Sequence, residues 1–364
     1  MQTHQKNSGT RLWCDGCYDL VHFGHANFLR QAKALGGYLI VGLHSDEEIK
    51  NHKRQPVYTE EERLKMVRAI KWVDEVVEDV PYITTLDTMD KHNCDVCVHA
   101  DDITVTADGQ DTYHLVKNAG RYREVLRTCG ISTTDLVGRI LKLSKNHEDS
   151  DTINQIPSER SPWTGFNQFL PTALKIWNFS DGIPPKKGDK IVYVDGAFDL
   201  LHAGHVDFLE KVHQQADYVL VGLHSDEVIK KYKGTQYPVM NLFERTMNVL
   251  ACKYVSDVII DAPYKVTQQL MDEFKIDLVI HGQTPIMKMK DEEDPYKVPI
   301  ALGKFKSINS GNSTTTEEII QRVIKNYQEF KNRNQKKEEM ELELIRKLNT
   351  TATNPAMKKS EFFL

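Results

Sequence analysis

Two histidines three residues apart, His22 and His25, bracket Phe23 and Gly24 in the stretch CDGCYDLVHFGHANFL. A strand-like run ends in Asp15-Gly16-x-x-Asp19 just before them, and a helical pattern follows. This order predicts two imidazoles at a helix N-terminus. Unpaired backbone N–H groups and the positive end of the helix dipole converge there into a phosphate site. Gly24 lets the backbone approach a ligand with no Cβ in the way. Imidazoles so placed can donate hydrogen bonds to a phosphate that is gaining charge.

A second constellation is Arg127-Thr128-Cys129-Gly130-Ile131-Ser132-Thr133-Thr134, where the last strand of the first half turns into its last helix. Arginine is the fork-shaped partner of phosphate, and hydroxyls at a helix start add donors to the backbone N–H groups. Plain capping accounts for Ser132 alone, not for Arg127 and three hydroxyls together. Lys53, in a helix–loop region with no apolar pattern, is a third candidate. A solvated surface lysine is its competing reading.

The motif occurs twice. VDGAFDLLHAGHVDFL carries His202 and His205, GLHSDEEIK returns as GLHSDEVIK, and VDEVVEDVPY returns as VSDVIIDAPY. So long a repeat marks two domains rather than a solenoid. The expected units are 11–145, a linker over 146–187, 188–332, and a charged helix and tail over 333–364. The second copy retains Asp195, Gly196, Asp199, His202, Gly204, His205, Lys233 and Tyr264. In place of Asp101-Asp102 it has Gln283-Thr284, and no arginine aligns with Arg127 in FKSINSGNSTTT. Lys304 or Lys306 could compensate, though a lysine lacks the planar fork. The second site is therefore read as degenerate: a domain that folds alike, binds nucleotide weakly or serves structure alone, and turns nothing over.

These groups must be held by elements. RLWCDG, GYLIVGLH, DEVVED, CDVCVHA and YREVLRT read as strands, and 24–35, 59–71, 84–92 and 132–145 as helices. Continuous apolar strands alternating with helices build a parallel sheet covered on both faces. Thr59-x-x-Glu62 and Ser132-x-x-Asp135 are capping boxes that place two helix starts. The fold class expected is α/β: two Rossmann-like nucleotidyltransferase domains with parallel sheets, joined by a partly ordered linker. Trp163, Phe166, Phe169, Leu170 and Trp177 are too many apolar groups for a free tether, so the linker should pack on a domain surface.

Composition excludes several classes. The net charge of −5 gives no electrostatic reason to expect nucleic acid as a partner. No apolar run approaches the roughly 20 residues of a membrane-spanning helix, and the N-terminus lacks a secretory pattern. Six cysteines in 364 residues do not suggest a disulfide scaffold, and a reducing, cytoplasmic setting is expected. Cys14-x-x-Cys17 and Cys94-x-x-Cys97 raise the question of zinc. The second copy has Val194, Ala197, Ile276 and Val279 there, which favours core packing. No protein-held metal is expected.

The two motifs together resemble the cytidylyltransferase family of the HxGH nucleotidyltransferase superfamily. The duplication is similar to members acting on phosphoethanolamine. The resemblance implies transfer of CMP from CTP to phosphoethanolamine, giving CDP-ethanolamine and pyrophosphate for phosphatidylethanolamine synthesis. It implies His22, His25, Lys53 and Arg127 as catalytic, and CTP held by Gly16, Cys17, Gly24, Asp101, Gly130, Ile131, Ser132, Thr133 and Thr134. It also implies phosphoethanolamine held by Asp15, Tyr82 and Asp102, and Mg2+ delivered with CTP. A homodimer, at most peripheral membrane association and a place at the endoplasmic reticulum surface are further expectations. The runner-up readings are a choline-phosphate enzyme and a non-catalytic nucleotide-binding scaffold. Ile103-Thr104-Val105 follows the acidic pair where the choline enzyme has an aromatic for cation–π contact, which favours ethanolamine. An aminoacyl-tRNA synthetase would need a lysine-rich second signature and a tRNA-binding domain, and neither is visible.

Overall fold

The computed structural model describes residues 9–53, 55–102, 104–106, 110–145, 169–287 and 293–326. In the first copy β1 (Arg11–Gly16), β2 (Tyr38–Leu43), β3 (Glu75–Val77), β4 (Val96–Ala100) and β5 (Tyr122–Val125) form one sheet. Its order is β3-β2-β1-β4-β5, and every pairing is parallel. Helices α1 (Phe23–Ala34), α2 (Asp46–His52), α3 (Glu60–Arg68), α4 (Leu86–Lys91), α5 (His114–Asn118) and α6 (Thr133–Lys145) connect and cover it. After α7 (Phe169–Phe179) the plan repeats. Strands β6 (Ile191–Gly196), β7 (Tyr218–Leu223), β8 (Asp257–Ile260), β9 (Leu278–His281) and β10 (Phe305–Ser307) are ordered β10-β9-β6-β7-β8. Their helices are α8 (Ala203–His213), α9 (Asp226–Lys233), α10 (Leu242–Leu250), α11 (Gln268–Glu273), α12 (Lys297–Ala301) and α13 (Thr316–Lys325).

Strand order reverses between β1 and β4, and the carboxyl ends of strands at such a point open a crevice for ligand. Side chains alternate across the sheet as the two-residue strand period requires. Leu12 and Cys14 point into one core cluster, and Trp13 into another. Val192 and Val194 of β6 share the first cluster, which runs unbroken through both copies. Buried Cys14, Cys94 and Cys97 lie within these clusters as apolar packing.

The copies face each other across a pseudo-twofold axis. The Lys71 N–H donates to the Ala251 carbonyl (3.0 Å) and the Lys253 N–H to the Ala69 carbonyl (2.8 Å). Arg139 of α6 forks onto Glu244 of α10 at 2.7 and 2.8 Å, and Arg322 of α13 reaches Glu62 of α3 at 2.6 Å. Phe23 packs edge-on against Phe243, and the Tyr58 hydroxyl donates to the Leu201 carbonyl.

The structure adds α2 and α5 to the helices read from sequence. Ser45 caps α2, accepting from the Glu48 N–H, a start signal hidden inside the repeat. The Thr59/Glu62 capping box forms in full, whereas only half of the second is seen. There Ser132 Oγ accepts from the Asp135 N–H, while the Asp135 carboxylate pairs with Arg139. The linker expectation needs correction at Trp177, which is 69% exposed. Phe179 does the packing instead, buried edge-on against Trp72 because the helix turns that face inward. Trp163, Phe166 and the 333–364 tail lie outside the described residues, as do the side chains of Phe169 and Leu170.

Candidate active site

Between β1 and α1 the chain makes a turn in which Tyr18 (φ 48°) and Leu20 (φ 45°) are left-handed. Such backbone is costly for residues with a Cβ and survives only where neighbours over-determine it. Buried Asp19 does so, accepting from the backbone N–H groups of Leu20, Val57 and Tyr58 at 2.9–3.1 Å. The Thr133 hydroxyl donates to the Asp19 carbonyl at 2.9 Å, which ties the start of α6 to the start of α1.

His22 is the N-cap of α1. Its Nδ1 accepts from the Gly24 N–H at 3.1 Å, and His25 Nδ1 accepts from the His22 N–H at 3.3 Å. With both Nδ1 atoms accepting, the ring proton of each neutral imidazole resides on Nε2. His25 is held down at about 4, chiefly by burial, with Asp102 opposing and Arg127 and Lys53 adding to the fall. Burial, then the His25 charge, also keeps His22 well below its ordinary value. Both rings are therefore neutral Nε2–H donors near pH 7. A β-carbon at position 24 would stand 2.8 Å from the His22 ring, which is why only glycine fits there.

A cleft of ≈ 250 Å³ opens at this point. Of the residues expected from sequence, Asp15, Gly16, Cys17, His22, Gly24, His25, Lys53, Asp102, Arg127, Ile131, Ser132, Thr133 and Thr134 line it. Arg127 Nη1 lies 3.8 Å from Asp102 Oδ2. Asp101, Gly130 and Tyr82 stand off the wall. The Asp101 carboxylate accepts from the Arg127 N–H at 2.7 Å and so orients that loop. Gly130 supplies a left-handed turn, φ 86°. Tyr82 stacks on His52 at 4.2 Å with Lys53 Nζ 5.4 Å above its ring. The wall also holds groups that sequence reading missed, above all His99 and Phe28. The signal was present, since both recur in the repeat as His281 and Phe208.

The second copy is built differently at the same place. Its His205 Nδ1 accepts from the His202 N–H, but His202 makes no bond to the Gly204 N–H. A β-carbon at Gly204 would stand 2.5 Å from the Thr314 carbonyl, so this loop lies directly on the helix start. The Thr316 hydroxyl bonds the Asp199 carbonyl as Thr133 bonds that of Asp19, which puts Glu317 where Thr134 stands. Glu317 pairs with Lys233 at 3.3 Å. The expected compensation by Lys304 or Lys306 does not occur. Lys304 Nζ, just before β10, donates to the Ile276 carbonyl, and Lys306 Nζ within it donates to Gln215.

A parallel α/β domain with paired imidazole donors at its first helix, faced by a cationic, hydroxyl-rich loop, defines a nucleotidyltransferase. The Cytidylyltransferase-like family matches residues 13–139 and again 193–344. Ethanolamine-phosphate cytidylyltransferase of Mus musculus is 55% identical over 366 residues, covering 92% of this chain and 91% of that protein. The Dictyostelium discoideum protein of that name is 44% identical, covering 96% of this chain and 100% of its own. Choline-phosphate cytidylyltransferase 2 of Arabidopsis thaliana is 44% identical over 138 residues, only 36% of this chain. The chain belongs to the ethanolamine-phosphate cytidylyltransferase family.

Proposed function

We infer that the chain transfers CMP from CTP to phosphoethanolamine, releasing pyrophosphate and CDP-ethanolamine. A phosphate monoester has its second pKa near 6, so the attacking oxygen is largely ionised at neutral pH. No general base is required, and catalysis rests on positioning and charge stabilisation. The monoester oxygen attacks the α-phosphorus as the bond to the β-phosphate bridging oxygen breaks and pyrophosphate leaves with the electron pair. His22 and His25 donate Nε2–H bonds to the phosphate oxygens as their charge grows. Lys53 and Arg127 hold the two substrates' phosphates together, and Ile131–Thr134 cradle the triphosphate. Asp15 accepts the ammonium. Mg2+ arrives on the nucleotide. The carboxylates nearest the cleft already have partners: Asp15 and Asp19 accept several donors each, and Asp102 faces Arg127.

One observation carries this reading: two tautomer-locked Nε2–H donors share a cleft with Lys53 and Arg127, in a chain related through both copies to ethanolamine-phosphate enzymes. The test is turnover of CTP with phosphoethanolamine, phosphocholine and glycerol 3-phosphate in parallel. Phosphoethanolamine should be strongly preferred, because a site built on hydrogen bonds rejects analogues that cannot make them. Equal kcat/KM for phosphocholine would sink the assignment.

A further inference from the structure

Asp15, at the end of β1, is 4% exposed and accepts three hydrogen bonds from side chains. Trp13 Nε1 and Thr84 Oγ1 donate to Oδ2, at 2.9 and 2.5 Å. The Tyr113 hydroxyl donates to Oδ1 at 2.8 Å. A carboxylate has about four acceptor positions, two on each oxygen. Both on Oδ2 are taken and one on Oδ1 is taken. The acceptor that remains belongs to Oδ1, on a residue that lines the cleft. One open acceptor gives a nitrogen carrying N–H a hydrogen bond as well as the charge, whereas a quaternary nitrogen meets the charge alone.

Thr84 does not line the cleft. It is fully buried, and its N–H donates to the Thr112 carbonyl. In the second copy both Oδ2 donors are replaced, Trp13 by Tyr193 and Thr84 by Val266. Val266 takes the same place, its N–H donating to the Pro295 carbonyl, and the partner aspartate is Asp195. The Tyr296 hydroxyl still bonds Asp195 Oδ1 at 2.5 Å, but no threonine reaches Oδ2. Burial there pushes the Asp195 carboxyl up to about 7.

We propose that Thr84 is a positioning residue for amine selectivity: with Trp13 it closes Oδ2 of Asp15 and leaves Oδ1 as the acceptor for a primary ammonium. The proposal rests on the phosphoethanolamine reading and adds a residue outside the cleft that controls it.

The experiment compares Thr84→Val, Thr84→Ser and Trp13→Phe with the wild type, using full-length protein and both amine substrates. Losing a hydrogen bond to a charged group should raise the KM for phosphoethanolamine about tenfold in Thr84→Val. The KM for CTP should stay within about twofold, since no CTP contact is touched, and Thr84→Ser, which keeps the donor, should restore the wild-type KM. The preference for phosphoethanolamine over phosphocholine should fall by the same factor as the KM rises. Valine at the equivalent position of the second copy shows that the fold accepts it. Should Thr84→Val nevertheless fail to fold, Trp13→Phe removes the other Oδ2 donor and should shift KM in the same direction. A parallel rise in both KM values, or no rescue by serine, overturns the proposal. A wild-type preference that survives Thr84→Val unchanged overturns the positioning role alone. A wild type with no preference overturns both readings.

Discussion

The two halves of this chain fold alike and differ in what faces the ligand. Groups that bond to backbone are kept in both. Asp19 and Asp199 each bind two consecutive N–H groups, and Thr133 and Thr316 each return to the preceding turn. Arg63 and Arg245, both fully buried, each donate to a carbonyl of that turn. Groups on the cleft wall have diverged: Arg127 and Thr134 give way to Ser310 and Glu317, and behind the wall Thr84 gives way to Val266. The second histidine of each pair also has a structural duty in both copies, its Nδ1 accepting from the backbone N–H of the first at the helix start. Persistence of His-x-Gly-His in a copy is therefore no proof that the copy catalyses. The polar surroundings decide that.

The largest expected effect comes from the histidines. His22→Ala or His25→Ala should lower turnover about 100-fold or more, the scale for losing one preorganised donor. His202→Ala plus His205→Ala should leave the chemical step near wild type and cost about 1 kcal/mol of stability, as loss of a helix cap does. Steady-state kinetics beside urea unfolding separates the two consequences. Equal kinetic loss from either copy would break the comparison.

CTP binding sharpens it. Isothermal titration should give one strong site per chain. Glu317→Thr frees Lys233 from its ion pair and should add weak binding at the second copy, abolished by Lys233→Ala. Two equal sites in the wild type would show that the second copy is not degenerate.

The interface offers a smaller contrast. Arg139→Ala removes the charge partner of Glu244, whose side chain is 5% exposed, and should cost about 3 kcal/mol, the low end for breaking a buried pair. Arg322→Ala should cost less, because Glu62 is 12% exposed and the contact is not forked. Urea unfolding of the two variants checks the order, and the reverse order would refute it.

The smallest effect is with pH. Burial lowers His25 to about 4 and His202 to about 3. Below the unfolded value near 6.5 the unfolded chain takes up protons that the folded chain does not. Stability is then fully present above that pH and falls on acidification toward the folded values. Between pH 6.5 and 5.5 each imidazole should remove about 1 kcal/mol, seen as a falling unfolding midpoint. His25→Asn and His202→Asn should each flatten that slope by a similar amount. A slope untouched by either would sink this account.

Much of this was legible in the residues alone. The repeat, the alternation of strands and helices, and the two phosphate motifs are local patterns, set by side-chain period and helix-end chemistry. They sufficed for the repeated parallel α/β plan and named many of the residues that line the cleft. Tertiary packing decided the rest, because the chemistry of a polar group depends on neighbours far away in sequence. His99 sits on the wall because β4 lies next to β1 at the switch in strand order. Lys304 and Lys306 read as candidate cations, yet each donates elsewhere. Asp15 looks the same as Asp195 in sequence. Only the fold brings Thr84 to one and Val266 to the other, and so determines which carboxylate has its Oδ2 held by a threonine hydroxyl.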